Sequence, residues 1–175
     1  MAKNDPAPQL RLAPLTREEA ELTSRWRYAP ELALAIYDGT TAAITDMLDP
    51  ANHYHSIHLD GKYVGYVCVG ADARVKGLPA MAGVDDVGIG LAPGRVGRGL
   101  SRWLLPAAIN SLEAKGVLTG SVLRAVVLDW NHRSLAAAQR AGFAVADEHR
   151  VGERRFIVLT RPRATQVPGA PTSER

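Results

Sequence analysis

Apolar and polar positions along the chain change period several times, and each change marks a predicted element. Leu10, Leu12 and Leu15 suggest a first strand. Thr16, followed by Glu18 and Glu19, reads as an N-cap with acid in the first turn, opening a helix that runs to about Arg27. Tyr28-Ala29-Pro30 interrupts it, a second helical stretch covers Glu31 to Tyr37, and Asp38-Gly39 turns the chain. Thr41 to Leu48 forms another short helix, stopped by Asp49-Pro50. Two strands, His53 to Leu59 and Lys62 to Val69, flank Asp60-Gly61, a two-residue hairpin signal. Gly70 to Ala82 reads as loop.

The second half alternates strand with helix. Val84 to Leu91 is an apolar strand ending at the Pro93-Gly94 turn. From about Gly97 to Lys115, Leu100, Leu104, Ala108 and Leu112 recur at helical spacing, with Pro106 inside as an expected kink and Gly116 as the stop. Ser121 to Leu128 is a further β-branched strand, and Asn131 opens a helix of small residues that ends at Gly142-Phe143. Phe143 to Glu148 and Arg154 to Thr160 close the series as two strands joined at Gly152. Strands interleaved with helices define an α/β pattern. Residues 9–161 are predicted as a single domain, 1–8 as a flexible arm, and the Pro-, Ser- and Thr-rich residues 162–175 as a disordered tail.

Composition narrows the class. A chain of 175 residues that is 46% apolar suits one globular core. No run approaches the roughly 20 apolar residues of a membrane span, and the first residues lack an apolar signal core. A cytoplasmic location and no membrane partner are therefore expected. The single cysteine, Cys68, allows no internal disulfide and sits in an apolar run as a small core residue. The formal charge of +3 is spread along the chain, without the aromatic-laced basic face of a nucleic-acid binder. An anionic ligand explains it better. His53 and His55 share a strand face, but no third ligand accompanies them, so no metal is expected.

The chemistry concentrates between Val84 and Leu105. An apolar strand feeds a turn rich in glycine and arginine, which feeds a helix. Backbone N–H groups at a helix start have no intrahelical partner, and the peptide dipoles add positive potential there. Gly97 and Gly99 would let a phosphate approach the backbone, and Arg95, Arg98 and Arg102 surround the turn. No Gly-Lys-Ser/Thr follows, which excludes a P-loop, and Pro93 stands where a dinucleotide fingerprint needs its third glycine. Within the strand, Val87, Ile89 and Leu91 share one face, whereas Asp86, Gly88 and Gly90 leave the other nearly bare. Something should approach closely on that side, either a ligand or another backbone.

Val96-Gly97-Arg98-Gly99-Leu100-Ser101 resembles the pyrophosphate loop of GNAT-superfamily N-acetyltransferases, Gln/Arg-x-x-Gly-x-Gly/Ala, with Val96 in place of the usual first residue and Ser101 as the last. Asn131 to Phe143 is similar to a second segment of that family, in which an Asn starts the helix after the fifth strand and Gly-Phe closes it. The resemblance implies a mixed, mostly antiparallel central sheet of about seven strands flanked by helices on both faces. It implies acetyl-CoA as co-substrate and transfer of acetyl to a primary amine of a small molecule or peptide by direct attack in a ternary complex. Coenzyme contacts are then expected from Ile89, Leu91, Val96, Gly97, Arg98, Gly99, Leu100, Ser101 and Asn131. Asp86 is the expected base, directly or through water, with Asp85 second; Ser134 or a water is expected to protonate the thiolate, unless it leaves unassisted. Trp26, Tyr28, Tyr37 and Asp38 are acceptor-site candidates. The family often carries a Tyr four residues before Gly-Phe; here that position is Ala138, which keeps open a non-catalytic acyl-CoA-binding sensor of the same fold. A homodimer is also left open.

Overall fold

The computed structural model describes residues 9–28 and 40–163. The expected helix over 31–37, with Tyr37 and Asp38, lies outside the described residues, as do 1–8 and 164–175.

Strand β1 (Leu10–Pro14) leads into α1 (Arg17–Ser24). The Thr16 side chain caps the helix at Glu19, and Glu19 reaches back to the Thr16 N–H at 2.9 Å, a complete capping box. Helix α2 (Thr41–Leu48) is capped by Thr40. Strand β2 (His55–Leu59) starts two residues later than expected, because His53 adopts left-handed φ of 44° to close the short turn before it. Asp60 and Gly61, at φ 50° and 75°, make the hairpin to β3 (Lys62–Val69). Then follow β4 (Val84–Leu91), α3 (Ser101–Ala114), β5 (Val122–Leu128), α4 (His132–Arg140), β6 (Ala144–Val151) and β7 (Arg154–Pro162).

The seven strands form one sheet in the order β1-β2-β3-β4-β5-β7-β6. Only β4 and β5 run parallel; the other neighbours are antiparallel. Alternation along β3 separates two cores. Val67 and Val69 pack with Leu104, Ile109 and Leu112 of α3 and Ala138 of α4. Tyr66 and Cys68 pack with Ala20 of α1 and Met47 of α2. Helices therefore cover both faces.

Strand β7 runs one residue past position 161. Pro162 still pairs with Val122, and the Arg163 N–H donates to the Ser121 carbonyl at 2.8 Å. The Arg163 guanidinium also donates to Gly120 O at 2.6 Å and Glu113 at 3.0 Å. A charged residue just past β7, anchored by both backbone and side chain, gives no apolar signal in the sequence.

Candidate active site

The site begins where β4 and β5 part. They pair over only three residues, Val84 to Asp86 against Val122 to Arg124. On its other edge β4 pairs with β3 in unbroken register from Val87 to Leu91, so the strand carries no bulge against β3. Ala92 N–H donates to Val64 O, and Gly70 N–H donates to Asp86 O. In an antiparallel pair, bonded and non-bonded positions alternate. Those two bonds put Gly88 and Gly90 in bonded positions. Ile89 and Leu91 thus turn their N–H and C=O groups toward the gap that β5 has left.

The glycine face of β4 is not open. A Cβ on Gly90 would collide with the Tyr66 ring, and one on Gly88 would lie 3.1 Å from Cys68 Sγ. The close approach expected from the bare face is made by β3 side chains. The ligand-sized space lies at the strand edge instead.

After β4 the chain turns through Pro93–Arg95. Gly97 and Gly99 then take φ of 80° and 70°, which holds the helix start back to Ser101, four residues later than expected. Leu100 occupies the N-cap and offers no side-chain acceptor. Among the described residues, the N–H groups of Gly99, Leu100, Ser101 and Arg102 meet no protein acceptor. Asn131 caps α4, its Oδ1 accepting from Ser134 N–H at 3.2 Å.

A cavity of about 690 Å³ joins these parts. It brings together Ile89, Leu91, Val96, Gly97, Gly99, Leu100, Ser101, Asn131, Ser134 and Tyr28 from the sequence-predicted set. Arg98 is absent from its wall. Sequence reasoning missed His132, Arg133, Ala136 and Arg140, which also line it. Residues 133, 136 and 140 share one face of α4, so helical spacing could have found them once the Asn131 end was placed at the site.

The other predicted residues lie elsewhere. Asp86 is 2% exposed. Arg124 Nε donates to its Oδ1 at 2.6 Å, while Arg124 and Arg74 donate to Oδ2 at 3.1 and 3.0 Å. Two guanidinium groups thus hold this buried carboxylate, and it is not among the residues that line the cavity. Asp85 accepts from the Thr119 and Gly120 N–H groups, both at 2.8 Å, and closes the approach to β5. Trp26 stacks on Tyr63 and Tyr66 at 5.8 and 6.0 Å, an aromatic core rather than a cavity wall. Tyr28, edge-on to Trp26, donates its hydroxyl to the Leu91 carbonyl at 2.7 Å. Burial pushes the Cys68 thiol up to about 12. His55 Nδ1 lies 3.0 Å from the His53 carbonyl, and no group of three or more His, Cys, Asp or Glu among the described residues could hold a metal ion. Nor is any described helix long and apolar enough to cross a membrane.

The acetyltransferase (GNAT) family profile matches residues 14–143, which take in the parted strand, the glycine turn and α4 up to its Gly-Phe end. The chain belongs to the GNAT acetyltransferase family. No curated protein matches it in sequence. An aminoglycoside acetyltransferase, AAC(6')-Ib, in complex with coenzyme A superposes with a TM-score of 0.67 at 16% identity, covering 89% of this chain and 95% of that one. A spermidine N-acetyltransferase SpeG chimera from Vibrio cholerae and hSSAT gives 0.62 at 15%, covering 88% and 95%. The Campylobacter jejuni N-acetyltransferase PseH gives 0.59 at 19%, covering 91% and 100%. These likenesses establish the GNAT fold.

Proposed function

We propose that this GNAT chain transfers an acetyl group from acetyl-CoA to a primary amine of a small molecule or peptide, by direct attack in a ternary complex. One observation carries the reading: the N–H groups of Gly99 to Arg102, unpartnered among the described residues, and the parted edge of β4 open into one cavity. The residues present suit the coenzyme. Those N–H groups and the α3 dipole favour its diphosphate. Arg95 and Arg102 add charge in the same wall. The edge of β4 at Ile89 and Leu91 offers backbone partners to an amide-bearing arm. Bound acetyl-CoA supplies an activated thioester.

The chain's own part is to hold and to polarise. The Ile89 N–H, facing the gap, would stabilise developing charge on a carbonyl oxygen, as a prearranged dipole does. The Ser134 side chain lines the cavity and could donate a proton where Ala138 leaves none. Ala138 itself is 3% exposed and packed in the core. Among the described residues no carboxylate lines the cavity, so the amine loses its proton to water. Tyr28, with Tyr37 and Asp38, is kept as the acceptor-side assignment. Aminoglycosides and spermidine, named for the similar structures, suggest polyamine-like acceptors.

Release of free thiol from acetyl-CoA with a panel of amines tests the reading. Acetyl-dependent turnover with at least one primary amine is expected. Binding without turnover across polyamines, aminoglycosides, amino acids and peptide N-termini favours the sensor, which the buried Ala138 and the engaged Asp86 also support.

A further inference from the structure

The arginines of the cavity outnumber what a diphosphate needs. Arg95, Arg102, Arg133 and Arg140 line it, and among the described residues none of the four makes an ion pair. Two of them come from α4, whose N-terminus faces the glycine turn. A Cβ built on Gly97 would lie 3.4 Å from Arg133 Nη1, so the Arg133 guanidinium already rests against the turn. Val96, at the motif position where the family pattern has Gln or Arg, brings no polar side chain there. Arg140 follows seven residues later on the same helix face, about 10 Å further along the axis. Ala136, between them, keeps that face low and within the cavity wall.

We propose that α4 supplies a second anion site of this cavity, with Arg133 completing the diphosphate cradle and Arg140 reading a separate phosphomonoester at the nucleotide end. The proposal rests on coenzyme A occupying the cavity. Coenzyme A carries a ribose 3′-phosphate with about two negative charges at neutral pH, held apart from the diphosphate by the ribose. A guanidinium suits such a group, because its planar donors match phosphate oxygens. Both arginines are exposed, so their replacement leaves the core untouched. Their contribution should weaken with salt, as that of exposed charges does.

Calorimetric titration of the wild type, Arg133→Gln and Arg140→Gln with coenzyme A and 3′-dephospho-coenzyme A tests this. The wild type should prefer coenzyme A by roughly tenfold, as a charge-assisted contact supplies. Arg140→Gln should lose that preference while keeping its affinity for the dephospho form. Arg133→Gln should weaken both ligands alike. Equal wild-type affinity for the two ligands, or a preference untouched in Arg140→Gln, overturns the assignment while leaving the coenzyme reading intact. Unchanged affinities in Arg133→Gln overturn its part in the diphosphate cradle. No wild-type binding of either ligand overturns the coenzyme reading itself. Melting curves of the variants should match the wild type and show that affinity, not folding, has changed.

Discussion

Asp86 shows how a residue in the expected place can serve a different end. Alternation along β4 correctly separates Val87, Ile89 and Leu91 from Asp86, Gly88 and Gly90. What sequence spacing cannot show is that Arg124, far along the chain, becomes the parallel neighbour of Asp86. Asp86→Asn would leave two guanidinium groups, one of them 4% exposed, without their counter-charge. It should cost about 3–5 kcal/mol in denaturant unfolding, the range for breaking a buried pair. A loss below about 1 kcal/mol would mean the pair is solvated. Cys68 supplies a pH test. Its folded thiol is pushed up to about 12 by burial, whereas the unfolded thiol titrates at its ordinary value. The stability this provides is present below the unfolded value and is lost as pH rises toward the folded one. Labelling by a thiol reagent at mildly alkaline pH should be slow in the native protein and fast in denaturant; fast native labelling would contradict the burial. Gly90→Ala should also destabilise, by roughly 1–3 kcal/mol, since Tyr66 cannot move without disturbing the aromatic stack on Trp26.

At the scale of elements, the strand-turn-helix unit from β4 to α3 was legible because glycine, proline and period changes punctuate it. Its start was misplaced because helical periodicity extends to Leu100, while the positive φ of Gly97 and Gly99 is a backbone property that spacing does not report. The glycine conformations give a prediction. Among the described residues no atom lies within 4 Å of a Cβ on Gly99, so Gly99→Ala meets no steric barrier from them. Its left-handed φ should cost roughly 1–2 kcal/mol. Acetyl-CoA affinity should fall further than stability, because the N–H groups of the turn lose their common direction. Equal affinity in titrations of the variant and wild type would show that the turn is not the binding element. The wall made by α4 was half legible. Asn131 and Ser134 carry a recognisable spacing, whereas Arg133 and Arg140 look like a solvated helix face until the sheet brings that face to the cavity.

Across the molecule, strand number, helix order and the mixed sheet followed from period changes and from the GNAT resemblance, and the observed order β1-β2-β3-β4-β5-β7-β6 agrees with them. Long-range pairing did not follow: neither the anchoring of Arg163 nor the parting of β4 from β5 leaves a local pattern. With no carboxylate from the described residues in the cavity, turnover should rise with pH along the acceptor amine's own titration. Profiles of kcat/KM for amines of different basicity should shift with the amine; one fixed limb shared by all amines would point to a protein base. In the proposed function, bare amides after a parted strand grip the coenzyme, and that grip underlies every role given to the site. It is tested most directly by following backbone amide signals by NMR during titration with acetyl-CoA. Saturable shifts are expected at Gly97, Gly99, Leu100, Ser101 and Ile89. Saturable binding that leaves those amides unmoved, or no binding, would contradict it.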